Sequence, residues 1–205
     1  ASFYATYLSI HARLSANQAT LVGLVVGIVS LVMAYAGNML YAALFLNLFA
    51  IVDCVDGNLA RLGQPTKVGE YFDAVSGDII NYGFPPIFFL SALRDGHLSN
   101  LESLSLVNIS NIIIMIAFIQ ILNALANQRF KLILGQAEEA ESIKSVSPLE
   151  TIVRNGYGAA FLFPSSLIVS LFGGFEILLI YFIISAPAFY IVSVFRVVNH
   201  GETKE

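Results

Sequence analysis

The chain has 205 residues, 57% of them hydrophobic and 12% charged, with a formal net charge of −4 and a mean hydropathy of +0.78. So apolar a composition excludes a soluble domain of this size. The net charge itself says little, because in a membrane protein the position of each charge matters more; no nucleic-acid partner is expected. A single cysteine, Cys54, excludes a disulfide framework and leaves the redox compartment undecided. The sequence starts at Ala1 rather than Met, which leaves an upstream segment open. It shows neither the basic start nor the small-residue cleavage site of a signal peptide.

At the N-terminus, Phe3, Tyr7, Ile10 and Leu14 recur at helical spacing, with Ser2, Thr6, Ser9 and Arg13 between them. This predicts a short interfacial helix over residues 1–16, lying on the cytoplasmic surface; a frayed amphipathic tail is the alternative. Apolar stretches long enough to cross a bilayer follow at about 18–36, 40–61, 70–93, 105–131, 151–172 and 174–198. The polar breaks between them read AGNM, RLGQPTKVG, RDGHLSN, GQAEEAESIKSVSP and FGG. No internal repeat is apparent. The expected fold is all-α and integral to the membrane, one domain over residues 1–205, with six spans between 18 and 198 after the interfacial helix.

The basic residues orient this bundle. With the N-terminus in the cytoplasm, six spans return the C-terminus there. Arg13, Arg61, Lys67, Arg129, Lys131, Lys144, Arg154, Arg196 and Lys204 then lie at the cytoplasmic side, and only Arg94 lies outside. Adding or losing one span would destroy that asymmetry. The expected location is a multi-pass membrane protein with both termini cytoplasmic.

Residues 53–78, DCVDGNLARLGQPTKVGEYFDAVSGD, then stand near the cytoplasmic face and carry Asp53, Asp56, Glu70, Asp73 and Asp78. A carboxylate inside a span costs on the order of 2.5–3.5 kcal/mol even on insertion scales, and several together repel one another. Cations bound between them resolve both problems. Oxygen-only ligands favour Mg²⁺ or Mn²⁺, with Ca²⁺ also open, and no His or Cys cluster argues for zinc. Asp53 and Asp56, three apart, point to one side of the second span. Cys54 faces elsewhere and is read as packing. Gly57 and Ala60 keep that face small, and Arg61 is a fixed cation suited to a phosphate. After the break, Thr66 is a candidate cap for the next helix. Gly69 is again small, and Asp73 follows one turn later on the same face. Metal ligands, a phosphate-binding cation and bare backbone together point to phosphoryl transfer from a nucleotide-like donor.

The stretch resembles the signature of the CDP-alcohol phosphotransferase family, D-x2-D-G-x2-A-R followed by G-x3-D-x3-D. Asp53, Asp56, Gly57, Ala60, Arg61, Gly69 and Asp73 match it. Seven such positions would coincide by chance at about one in a million. The run NQAT at 17–20, with Gly23, is similar to the family's entry into its first span. The resemblance implies cleavage of the phosphoanhydride of a CDP-linked alcohol, commonly CDP-diacylglycerol. The phospho-alcohol passes to the hydroxyl of a small polar or lipid acceptor, and CMP is released. It further implies two divalent cations, Mg²⁺ or Mn²⁺, held by Asp53, Asp56 and Asp73, and CDP contacts at Gly57, Ala60, Arg61 and Gly69. A homodimer is implied as well. A prokaryotic plasma membrane fits so bare a catalytic domain.

One position departs from the pattern. The fourth aspartate is expected four residues after Asp73, where Gly77 stands, and the carboxylate comes at Asp78. On a regular helix position 77 lies about 40° from Asp73 and position 78 about 140° away. A one-residue π-bulge near Ser76–Gly77, with an i→i+5 hydrogen bond, would return Asp78 to the site as a metal ligand and general base. Without the bulge the base is missing from that place.

Other polar positions have two readings each. Gln120, Asn123 and Asn127 form a stripe inside the fourth span, either the wall of an acceptor pocket or interhelical glue. Arg129, Lys131 and Arg196 either hold a phosphate or reach to lipid headgroups. Asn81 either orients the base or is structural. Gly23 and Gly27 permit close helix packing and are a weak sign of dimerisation. Pro187 is expected to kink the last span, the acidic run at 138–141 to form a solvated loop, and Glu176 to lie at the outer interface. Two rival functions remain at this level: a divalent-cation transporter, which leaves Arg61 and the small residues unexplained, and a catalytically inactive relative that binds nucleotide or lipid.

Overall fold

The computed structural model describes residues 2–12, 14–63, 67–101, 105–144 and 159–202. These form α1 (Ser2–His11), α2 (Ala16–Tyr35), α3 (Met39–Leu62), α4 (Lys67–Arg94), a 3₁₀ turn (Ser99–Leu101), α5 (Leu106–Lys144), α6 (Ala159–Phe172) and α7 (Phe175–Glu202). No strand occurs among the described residues. Among them, four helices are long and apolar enough to cross a membrane: Ala16–Tyr35, Met39–Leu62, Val107–Ala126 and Phe175–Val192. The helix α4 has the length, but Lys67, Glu70, Asp73 and Asp78 dilute its apolar character. The described part of α6 is 14 residues.

Local chemistry sets the helix boundaries. Ser15 caps α2 reciprocally: its Oγ accepts from the Gln18 N–H at 3.3 Å, and Gln18 Oε1 accepts from the Ser15 N–H at 2.9 Å. Gly173 and Gly174, at φ +81° and +93°, reverse the chain between α6 and α7 in a conformation that side chains oppose. The break before α4 includes Thr66, whose expected capping role lies outside the described residues.

The packing is inside-out relative to a soluble bundle. On α2 the buried face is Ala19, Thr20, Gly23, Gly27, Ser30 and Ala34, while Leu21, Val25 and Val32 are exposed. Small residues let helices approach closely where lipid covers the large ones. A Cβ on Gly27 would lie 2.6 Å from Ile80 and 3.3 Å from Phe49. The Gly23–Gly27 pair therefore serves packing of α2 against α3 and α4 within the chain. Ser30 Oγ donates to Ala42 O, and Asn47 Nδ2 donates to Phe163 O, each at 2.8 Å, tying α3 to α2 and α6. The core of α4 and α7 is aromatic: Phe88 stacks on Phe175, and Phe89 meets Phe182 edge-on.

At the Arg94 end, Arg94 Nη1 donates to Tyr35 O and its Nε to Asp95 Oδ1, both at 2.8 Å. Asn100 donates to Glu176 at 3.0 Å, and His97 stacks on Phe175.

Two expectations change. The acidic run is not a loop: α5 continues through it to Lys144, as the helix-favouring Ala, Glu, Gln and Lys there allow. Cys54 is exposed rather than packed. The expected N-terminal helix is present as α1, held through Asn58 Nδ2, which donates to the buried Thr6 Oγ1 at 3.1 Å. Its apolar Tyr7 and Ile10 point outward. Of the fifth stretch, residues 151–158, including Arg154, lie outside the described residues.

Candidate metal centre

Asp53 and Asp56 lie on α3 and Asp73 on α4, and one carboxylate oxygen of each falls within 4.8 Å of the others. The three-residue spacing stacks the first two on one helix face, and the break at 63–66 returns the chain so that Asp73 faces them. Asp56 is buried at 4% exposure, whereas Asp53 and Asp73 are not buried. Thr20 of α2 stands beside the Asp56 carboxylate. Asp56 Oδ1 is buried with no hydrogen-bond partner among the described residues.

That orphaned oxygen tests the fit of a metal. A buried carboxylate oxygen left unpaired is costly. Three carboxylates converging without an intervening cation would also repel one another. A hard divalent cation satisfies all of them with the ligand type it prefers. The residues fit a divalent metal.

Two members of the triad, Asp56 and Asp73, line a cleft of about 430 Å³ together with Gly57, Ala60, Gly63 and Gly69. A Cβ on Gly57 would meet nothing within 4 Å, so the glycine exposes bare backbone to open space. Ala60 and Gly69 keep the remaining wall low. Arg61 is exposed, its Nη1 donating to Asn58 Oδ1 at 3.2 Å, and it is not one of the lining residues.

The expected π-bulge is absent. Residues 67–94 are α-helical throughout, with Ser76 Oγ donating to Asp73 O at 2.9 Å. Asp78 does not join the carboxylate group; it lies one turn from Tyr82, whose hydroxyl feels its charge. Glycine at 77 permits a bulge but does not force one, and a regular ladder around it keeps the backbone groups there satisfied.

Gln120 and Asn123 are buried, at 3% and 1% exposure. The side chains of Asn127, Arg129, Lys131 and Arg196 lie outside the described residues. The sequence reading missed the other wall of the cleft: Leu14, Ser15, Asn17 and Glu70 line it too. The S-x-x-Q capping box at 15–18 marks a helix start, but no spacing rule places that start against α3 and α4.

A curated protein, the phosphatidylinositol phosphate synthase of Corynebacterium glutamicum, is 43% identical to this chain over 70 residues. The match covers 33% of this chain and 32% of that protein. No solved structure matches. The family model described as CDP-alcohol phosphatidyltransferase matches residues 13–186. That span contains the three convergent carboxylates, the cleft and all the helices from α2 into α7. The chain is a multi-pass membrane protein and belongs to the CDP-alcohol phosphatidyltransferase family.

Proposed function

We propose that this protein moves a phosphatidyl group from CDP-diacylglycerol to the hydroxyl of a polar acceptor and releases CMP. The observation that carries the reading is the convergence of Asp53, Asp56 and Asp73, two of which line a cleft with the bare backbone of Gly57. Asp53, Asp56 and Asp73 would hold two divalent cations, Mg²⁺ or Mn²⁺. Bound there, such ions supply positive charge to the diphosphate and to the departing CMP oxygen. Gly57, Ala60 and Gly69 leave room for the CDP moiety. Arg61, one turn beyond Gly57, adds positive charge at the diphosphate once it leaves Asn58.

Asp78 takes the proton of the acceptor hydroxyl. The new oxygen–phosphorus bond forms as the bond to the CMP oxygen breaks, and the proton moves to the Asp78 carboxylate. The membrane arrangement belongs to the same reading: six spans, both termini at the cytoplasmic face of a prokaryotic plasma membrane, α1 at the interface, and a homodimer. The orientation is supported by the distribution of Lys and Arg along the sequence, with Arg94 alone on the far side of the expected spans.

The test is CMP release from CDP-diacylglycerol by protein in lipid nanodiscs, with and without Mg²⁺ or Mn²⁺, across a panel of acceptor alcohols. Metal-dependent release is expected; no release with any acceptor refutes the reading. Asp78→Asn should abolish turnover and spare donor binding, and turnover like the parent's would remove Asp78 as base.

A further inference from the structure

The last turns of α3 show one side to the cleft and another to α1. Asp56, Gly57, Leu59 and Ala60 line the cleft, and Asn58 and Arg61 do not. At about 100° per residue, Asn58 stands on the side of α3 away from those four. Arg61 lies between, about 40° round the helix from Gly57 and about 60° from Asn58. Its guanidinium is drawn to the Asn58 side, where Nη1 donates to Asn58 Oδ1 at 3.2 Å.

A polar pair three residues apart on a helix surface is worth little on its own. This pair is fixed from a second direction. The helix α1 packs on α3, and Asn58 Nδ2 donates across that contact to Thr6 Oγ1 at 3.1 Å. Thr6 is buried and Asn58 half-buried. A guanidinium carries no acceptor, so the amide has to turn its oxygen to Arg61 and its nitrogen to Thr6. The threonine hydroxyl, by accepting from Nδ2, selects the amide orientation that holds Arg61.

We propose that Asn58 is a positioning residue: oriented by Thr6 of α1, it holds the Arg61 guanidinium outside the cleft, and donor binding opens that bond. The inference rests on the reading above in which Arg61 meets the diphosphate of the donor. From its place beside Gly57 the arginine reaches the cleft by changing side-chain rotamers, with no movement of α3. The bond to Asn58 is then a cost on donor affinity, because a ligand diphosphate competes with the amide oxygen for the same guanidinium. Weakening the hold should tighten binding, the opposite of what damage to the site would do.

The experiment uses the full chain in nanodiscs with Mn²⁺ and measures the Kd of CDP, which carries the diphosphate, by isothermal titration calorimetry. Asn58→Leu should bind CDP about two- to fivefold more tightly than the parent, the scale of one opened hydrogen bond. Thr6→Val keeps the shape of the buried side chain and removes its oxygen, so it should tighten binding in the same direction and by less. In an Arg61→Met background, CDP should bind more weakly, and the two substitutions should have no further effect. Unchanged or weaker CDP binding in both Asn58→Leu and Thr6→Val overturns the proposal. So does the same tightening in the Arg61→Met background, since Asn58 would then act without the arginine. The predicted shifts in CDP affinity with no CMP release from CDP-diacylglycerol would refute the transfer reading and keep the positioning of Arg61. No saturable CDP binding by the parent removes both.

Discussion

The two ends of the helix bundle are built on opposite plans. At the Arg94 end, charges and polar groups close on one another: Arg94 binds Asp95 and the end of α2, Asn100 binds Glu176, and His97 stacks on Phe175. At the Leu62 end, three carboxylates converge, one buried oxygen has no partner among the described residues, and glycines and an alanine leave a cleft. The first end is complete in itself and serves the fold. The second offers three convergent carboxylates to a divalent cation, which in the proposed function carries the phosphate load of the donor.

That contrast predicts where substitutions hurt function and where they hurt stability. The largest effect is expected from Asp56→Asn. Metal-dependent CMP release should fall by at least about 100-fold, because a buried ligand is lost. The fold should survive, since a neutral amide is easier to bury than an unpaired carboxylate. Gly57→Val comes next: its side chain would enter open cleft rather than packed core. Donor affinity should drop about tenfold or more while the thermal midpoint stays near that of the parent. Gly27→Ala should do the reverse. Its Cβ would press on the fully buried Ile80, destabilising the bundle by about 1–3 kcal/mol with metal affinity of the folded protein unchanged.

The smallest effect is expected at the closed end. The hydrogen bond from Arg94 holds the Asp95 carboxyl below the usual carboxylate range. A depressed acid contributes fully above its unfolded pKa and loses that contribution as pH falls through its lowered native value. Asp95→Asn should therefore cost little at neutral pH and remove a small part of the acid sensitivity, read by thermal melts between neutral and strongly acidic pH. Both groups are exposed, so solvent screening keeps the effect small.

Much of the site could be read from spacing because it is local. Asp53 and Asp56 share a helix face, and a short break returns Asp73 to them, so one helical period and one turn suffice. The aspartate at 78 was harder. Sequence offered a glycine that permits a bulge, while the choice between bulge and regular ladder depends on the whole of α4 and its neighbours, and the ladder won. The cleft wall at Ser15 and Asn17 was hidden for another reason, since it depends on how α2 packs across α3 and α4. Helix positions emerged from apolar length, but α5 outran its span because Ala, Glu and Lys favour helix whether or not a membrane surrounds them. The unsatisfied Gln120 and Asn123 showed in the sequence as a polar stripe. Only the structure shows that Gln120 Oε1 and the Asn123 amide have no hydrogen-bond partner among the described residues.

The central claim is that the three carboxylates hold divalent metal. Titrating Mn²⁺ into the purified protein and following free ion by electron paramagnetic resonance tests it most directly, because that signal does not depend on turnover. Saturable binding by the parent, lost in Asp56→Asn and weakened in Asp73→Asn, is the predicted result. Equal binding by the parent and both variants, or none by the parent even with CDP-diacylglycerol present, would contradict it.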